Sequence, residues 1–180
     1  MIRAILVGSQ SLLLAFLLVS ESPAQAPRKE ALAGAQNYTR VSATVGCSGA
    51  TTPDVVPELK RQGYKAIVNF RMASESGANV EAEQAAAQAA GLKYIHLPFS
   101  GASPDPAVVA AFLQAVADPA NQPVFIHCAS GNRVGAMWLV KRMLQDGWDE
   151  QKAVAEAETI GLSSSSLKEF ALSYVKTHGK

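Results

Sequence analysis

Short apolar runs alternate with segments in which apolar residues recur at helical spacing along most of the chain. Runs of this kind predict buried strands, and they occur at 41–45, 65–70, 92–97 and 124–127. The periodic segments predict helices near 53–62, 80–90, 134–145, 149–160 and 165–176, with one more that begins at Pro104 or Asp105. Because strands and helices alternate, the sequence predicts an α/β fold with a central parallel sheet of about four to five strands flanked by helices.

The first 26 residues have the composition of a secretory signal peptide. Arg3 supplies an early positive charge, 11–19 is almost wholly apolar, and Ala24-Gln25-Ala26 provides small residues for cleavage. The apolar run is shorter than the roughly 20 residues that a membrane span needs. We therefore expect 1–26 to be removed on export to the periplasm or the medium, with no stable membrane insertion. Residues 27–40 are polar and small, which predicts a flexible lead-in.

Charge and composition narrow the classes of partner for the remaining domain, residues 41–180. The net charge is +1 and no basic tract occurs, which argues against a nucleic-acid partner. The two cysteines, Cys47 and Cys128, are too far apart in sequence for a CxxC site and are either free or joined in a disulfide. The three histidines lack metal-ligand spacing, so no metal and no cofactor is expected. Oligomeric state cannot be derived from these features.

The segment CASGNR lies between a strand that ends at His127 and a helix that begins near Val134. Its small residues let backbone N–H groups converge on one point, and the positive end of the helix is directed there too. A cysteine in such a field favours the thiolate, the nucleophilic form. The planar fork of an arginine fits two oxygens of a tetrahedral anion. Cys128 and Arg133 are therefore the first candidate catalytic residues.

The rest of this loop supplies candidate substrate-binding residues for an oxyanion such as a phosphorylated substrate. The backbone of the loop forms the cradle, and the Ser130 hydroxyl is a donor for the anion or the sulfur. His127 is expected to orient the loop by hydrogen bonding. The full set is His127, Ala129, Ser130, Gly131 and Asn132.

The segment HCASGNR resembles the signature loop of protein tyrosine and dual-specificity phosphatases, HCxxGxxR, shortened by one residue. Upstream, the segment Asn69-Phe70-Arg71 is followed by a helix and then by YIHLP at 94–98. This order is similar to that of a bacterial phosphatase-like family found fused to, or beside, beta-lactamase-type hydrolases. The resemblance spans roughly 41–144 and implies the cysteine-phosphatase fold. It implies a phosphocysteine at Cys128, with Arg133 as the phosphate clamp.

Three features differ from the better-known phosphatases. Four residues separate Cys128 from Arg133, one fewer than in those enzymes and equal to the spacing in many rhodanese-like sulfurtransferases. Arg133 is followed by Val134 instead of a serine or threonine. The nearest candidate for the family's general-acid aspartate is Asp105, which is explained equally well as a residue at a helix N-terminus.

Arg71 is a further candidate substrate contact because it ends a strand on the same side of the sheet as the loop. A salt bridge to Glu75 is the alternative interpretation. Three functions thus remain open from sequence: an exported cysteine phosphatase, a sulfurtransferase that carries a persulfide on Cys128, and a non-catalytic anion-binding module. The phosphatase is favoured because the resemblance extends beyond the loop.

Overall fold

The computed structural model describes residues 26–179, so the predicted signal peptide lies outside the described residues except for Ala26. The six strands are β1 (Arg28–Lys29), β2 (Thr39–Ser42), β3 (Val45–Ser48), β4 (Ala66–Asn69), β5 (Lys93–His96) and β6 (Val124–His127). The six α-helices are α1 (Val56–Arg61), α2 (Val80–Ala89), α3 (Pro106–Ala117), α4 (Asn132–Leu144), α5 (Glu150–Ile160) and α6 (Ser165–His178). A 3-10 turn at Pro53–Val55 precedes α1.

All six strands belong to one sheet in the order β1-β2-β3-β6-β4-β5. The four strands from β3 to β5 are parallel, whereas β1 and β2 are antiparallel to their neighbours. In the parallel part, His127 pairs in register with Ser48 on one side and with Asn69 on the other, and Asn69 pairs with His96. The last residues of four strands therefore lie along one edge, where α/β sheets place ligands.

Side-chain alternation along β6 divides the core into two parts. Val124 and Ile126 face a cluster with α3, α4, α5 and α6. Phe125 faces a second cluster with α1 and α2. Each large side chain buried in this way contributes about 1.5–3 kcal/mol, so the sheet is stabilised from both faces. The predicted α/β fold is confirmed.

Two details of the predicted fold are wrong. The sheet has six strands, and the predicted strand 41–45 is two antiparallel strands, β2 and β3. The sequence of β3, VGCS, contains little apolar surface and a glycine, so its pattern does not predict a strand. Glycine is needed at Gly46 for packing, because a β-carbon there would overlap the Tyr64 hydroxyl and lie 2.9 Å from a ring carbon of Tyr38.

The segment 27–40 is also part of the domain, contrary to the predicted lead-in. It contains β1 and the first residues of β2, and its Leu32 and Tyr38 are buried in the second core cluster. The tyrosine hydroxyl bonds that of Tyr64 at 2.8 Å. Isolated apolar residues in a polar segment carry no periodicity, which explains why sequence reasoning missed this part of the core. Across 26–179, no helix is both long and apolar enough to cross a membrane.

Candidate active site

Cys128 directly follows β6 at the carboxyl edge of the sheet, and its side chain is fully buried. The Gly131 N–H donates a hydrogen bond to Cys128 Sγ at 3.1 Å. This loop geometry requires a glycine, because Gly131 has a φ of +100°. α4 begins at the next residue, Asn132, so the positive end of a 13-residue helix adjoins the sulfur. A backbone donor and the N-terminus of a helix therefore both lie beside the sulfur.

Arg133, in the first turn of α4, is held by acceptors from two neighbouring loops. Its Nη1 donates to the carbonyl oxygens of Phe70 and Phe99 at 3.1 and 3.0 Å. Glu75 accepts from both terminal nitrogens, at 2.5 Å from Nη1 and 2.8 Å from Nη2. Burial lowers the pKa of Arg133, but the Glu75 hydrogen bonds and the electrostatic contributions of Cys128 and Glu75 outweigh burial and keep that pKa above its ordinary value. The cation is therefore fixed beside the candidate nucleophile.

The Glu75 carboxylate is the partner that sequence reasoning assigned to Arg71 alone. The Arg133 hydrogen bond is the main cause that lowers the pKa of Glu75 to about 2. The group therefore stays ionised from neutral pH down to strongly acidic conditions. The sequence gives only a weak indication that Glu75 belongs to the site, because it is a single acidic residue in the serine-containing loop after the N-x-R segment.

Arg71 forms the predicted alternative contact, a salt bridge from its Nε to Glu75 Oε2 at 3.3 Å. Its Nη1 and Nη2 donate to the carbonyl oxygens of Gly77 and Ser76, each at 2.6 Å. The Arg71 guanidinium thus braces the loop that carries Glu75. These contacts lie within the segment 71–77, and the role of Arg71 as a substrate contact stays a prediction.

His127 lies beneath the loop on the face of the sheet opposite to Cys128, since neighbouring side chains of a strand alternate. Its Nε2 lies 3.0 Å from Glu83 Oε2 and its Nδ1 lies 3.2 Å from Thr51 Oγ1. Thr51 and Tyr94 each donate a hydroxyl to Glu83 at 2.8 Å, and Asn69 Nδ2 donates to it at 3.1 Å. These contacts connect the end of β6 to Thr51 and Glu83, and the role of His127 in orienting the loop stays a prediction.

Glu83 is the centre of this buried network and a residue that sequence reasoning missed. Burial raises the pKa of Glu83, but the His127, Thr51 and Tyr94 hydrogen bonds hold it below its ordinary value. A signal was present in α2, where Val80, Glu83 and Ala87 share one buried helical face. A carboxylate on such a face requires partners, and here they join the ends of β4 and β6.

Asn132 reaches away from the cradle with its side chain. Its Oδ1 accepts from the backbone N–H groups of Ser163 and Ser164 at 2.7 and 2.8 Å. This contact ties the first turn of α4 to the turn between α5 and α6. The side chain of Asn132 thus anchors α4 to this turn. The Ser130 hydroxyl is exposed and lies 3.5 Å from Asn132 Nδ2.

Asp105 is the N-cap of α3, where its Oδ1 accepts from the Ala107 N–H at 2.8 Å. Its exposed position and this cap agree with the helix-terminus interpretation, and the role of general acid stays a prediction.

Cys47 and Cys128 are both free and buried. Burial is the main cause that raises the pKa of Cys47, so its thiol is neutral. Residues 26–179 contain no group of three or more His, Cys, Asp or Glu side chains that could hold a metal ion.

Several solved structures have the same architecture. TpbA of P. aeruginosa matches at a TM-score of 0.60 and 27% identity, over 81% of this chain and 90% of TpbA. The catalytic core of the S. cerevisiae PP-IP phosphatase SIW14 matches at a TM-score of 0.64 and 20% identity, over 79% and 87% of the two chains; at that identity the match shows the fold alone. The protein is a cysteine-based enzyme of the tyrosine-phosphatase-like class.

Residues 37–145 match the family model of the phosphatase-like domain of beta-lactamase hydrolase-like proteins, and the chain belongs to this family. A beta-lactamase hydrolase-like protein of Xylella fastidiosa (strain Temecula1) is 31% identical over 126 residues, 68% of this chain and 29% of the relative. The Agrobacterium fabrum protein of the same description is 37% identical over 91 residues, 49% and 21% of the two chains. The chain thus spans less than a third of these relatives, and the resemblance predicted from sequence is confirmed.

Proposed function

We propose that this protein is an exported phosphatase that hydrolyses phosphomonoesters through a phosphocysteine at Cys128, with Arg133 as the oxyanion clamp. The observation that carries the proposal is the convergence on Cys128 of the Gly131 N–H, the N-terminus of α4 and a guanidinium fixed by Glu75. The candidate nucleophile thus lies beside a backbone donor, a helix N-terminus and a fixed cation, which is the arrangement that phosphoryl transfer needs.

In the first step, Cys128 Sγ attacks phosphorus, the S–P bond forms and the P–O ester bond breaks. The leaving oxygen takes a proton from a general acid or from water, and Asp105 remains the predicted acid. In the second step, water attacks phosphorus and the S–P bond breaks, which releases inorganic phosphate and restores the thiolate. Arg133 and the loop N–H groups stabilise the charge on the equatorial oxygens in both steps.

The proposed substrate class is a phosphomonoester with an aryl leaving group. A structure of a cysteine-to-serine variant of TpbA contains phosphotyrosine, and TpbA is 26% identical to this chain in that comparison. The test is turnover of a generic aryl phosphate by the protein under reducing conditions, with and without vanadate. We expect turnover that vanadate inhibits. No turnover, together with persulfide formation from thiosulfate, would instead support the sulfurtransferase suggested by the loop length.

Glu75 is expected to act by positioning Arg133. In Glu75→Gln, the amide offers one acceptor oxygen in place of a bidentate carboxylate, so the guanidinium is free to rotate away from the cradle. We expect kcat/KM for the aryl phosphate to fall about ten- to a hundredfold, the usual effect of a misplaced binding group. Glu81→Gln, at an exposed position of α2, is the matched control. Equal kinetics for the two variants would contradict this role.

Export is proposed from the composition of residues 1–26 alone. Expression of the full chain in a Gram-negative bacterium, followed by fractionation and N-terminal sequencing, tests it. We expect the protein in the periplasm or the medium with a new N-terminus near Ala26, and a variant that lacks 11–19 in the cytoplasm. Full-length protein that starts at Met1 in the cytoplasm would contradict export without affecting the phosphatase proposal.

A further inference from the structure

Asn37, in the segment before β2, reaches the catalytic loop with its side chain. Its Nδ2 donates to the carbonyl oxygens of Ser130 and Ile160, each at 3.0 Å. The backbone of Asn37 has a φ of +53°, a conformation that asparagine adopts more readily than most residues. The residue thus joins three parts of the chain: the N-terminal segment, the Cys128 loop and the end of α5.

The Ser130 carbonyl belongs to the peptide whose N–H is that of Gly131. A trans peptide is planar, and its C=O and N–H point in opposite directions. When Asn37 holds the Ser130 oxygen on the outside of the loop, the Gly131 N–H is therefore directed inwards. That N–H is the donor to Cys128 Sγ at 3.1 Å. One side-chain amide thus fixes the orientation of the peptide that contacts the sulfur.

This peptide needs an external restraint because of the residue that follows it. Gly131 adopts positive and negative φ with similar ease, so the peptide before it can rotate without steric penalty. The close approach of Asn37 also requires the glycine: a β-carbon at Gly131 would lie 2.8 Å from Asn37 Nδ2 and 2.8 Å from the Ile160 oxygen. The glycine and the asparagine therefore act as a pair.

Lys29, in β1, sets the orientation of the Asn37 amide. Its Nζ donates to Asn37 Oδ1, to Thr39 Oγ1 at 2.8 Å and to the Ile160 oxygen at 3.3 Å. Since an ammonium group only donates, it selects the amide oxygen, and the Nδ2 donors are left to face the Ser130 and Ile160 carbonyls. The first strand of the sheet is in this way connected to the catalytic loop.

We propose that Asn37, oriented by Lys29, is a positioning residue that keeps the Ser130–Gly131 peptide with its N–H towards Cys128 and the bound oxyanion. The expected effect of Asn37 on turnover rests on the proposed phosphatase function. Its effect on the sulfur is independent of that function, because the Gly131 N–H stabilises the thiolate whether or not the protein hydrolyses phosphoesters.

The direct test compares Asn37→Asp and Asn37→Gly with the wild type. The aspartate is isosteric and keeps its contact with Lys29, but its second oxygen repels the two carbonyls that Asn37 binds. The glycine keeps the positive φ and removes the side chain without adding repulsion. Asn79→Asp is the matched control, because Asn79 is exposed, has a φ of +47° and makes no side-chain cap hydrogen bond.

The decisive readout is the rate at which iodoacetamide alkylates Cys128 at neutral pH, followed by peptide mass spectrometry so that Cys47 does not interfere. We expect the rate to fall about tenfold in Asn37→Asp, the effect of one lost hydrogen bond to a charged group, and less in Asn37→Gly. kcat for an aryl phosphate is expected to fall in the same order with KM less affected, and Asn79→Asp to match the wild type in both.

Two results would overturn the proposal: wild-type alkylation in folded Asn37→Asp, or an effect of Asn37→Gly as large as that of Asn37→Asp, which would indicate a general loss of packing. If Asn37→Asp does not fold, folded Asn37→Gly with an unchanged alkylation rate overturns it. Slow alkylation of Asn37→Asp in a protein whose wild type hydrolyses no phosphoester would support the positioning role and reject the phosphatase function.

Discussion

Cys128→Ser is expected to lower kcat/KM for an aryl phosphate by about 10⁴-fold or more, the scale of loss when a covalent nucleophile is removed. A serine hydroxyl is a far weaker nucleophile than a cysteine sulfur at neutral pH. The substitution keeps the volume of the side chain, and the Gly131 N–H can donate to oxygen as it does to sulfur. We therefore expect a folded protein that still binds oxyanions, which vanadate or phosphate titration would detect.

Cys47→Ser is the matched control for this substitution. Cys47 is also buried and free, but it lies within β3, and burial keeps its thiol neutral by raising its pKa. We expect Cys47→Ser to retain turnover, with a loss of stability of about 1–3 kcal/mol for the buried hydroxyl. Turnover by Cys128→Ser above a tenth of the wild-type rate would exclude Cys128 as the nucleophile.

Arg133→Lys has the second largest expected effect, a fall in kcat/KM of about 10²–10³-fold, comparable to the removal of one donor from an oxyanion site. Lysine keeps the charge, but one ammonium group cannot replace a planar fork that contacts Glu75 with Nη1 and Nη2. The substitution therefore tests geometry separately from charge. Arg61→Lys is the control, because that side chain is 75% exposed and forms its salt bridge with Glu58 of the same helix.

Kinetics at several substrate concentrations distinguish an Arg133 that stabilises the transition state from an Arg133 that only attracts the anionic substrate. If Arg133 stabilises the transition state, kcat falls together with kcat/KM. If it only attracts the anion, KM rises while kcat stays near the wild-type value. A variant Arg133→Lys with wild-type kcat would contradict the role of oxyanion clamp.

The position of the Cys128 loop was predictable because its parts are contiguous in sequence. An apolar strand, small residues and a helix fix where Cys128 and Arg133 lie relative to each other, since the strand end and the helix N-terminus are separated by only a few residues. The partners of these residues were not predictable in the same way. Glu75 and Asn37 reach the loop from distant segments, and only tertiary packing shows which of many polar side chains do so.

Two strands in the N-terminal part of the sheet could not be predicted from the sequence either. β1 contains two charged residues and β3 contains a glycine, a cysteine and a serine, so neither has the apolar run that marks a strand. Backbone pairing holds both in the sheet: β1 pairs with β2, and β3 pairs with the apolar strand β6. The parallel strands β4, β5 and β6, which carry their own apolar pattern, were predicted within two residues.

The covalent state of Cys128 during turnover is the most direct test of the proposal that this protein is a cysteine phosphatase. Wild-type protein is mixed with an aryl phosphate, quenched in acid within the first turnovers and digested for mass spectrometry, with Cys128→Ser treated in parallel. We expect a phosphoryl group on the peptide that contains Cys128 in the wild type and none in the variant. Turnover without any phosphorylated Cys128 peptide, or a persulfide on Cys128 after incubation with thiosulfate in a protein that releases no phosphate, would contradict that proposal.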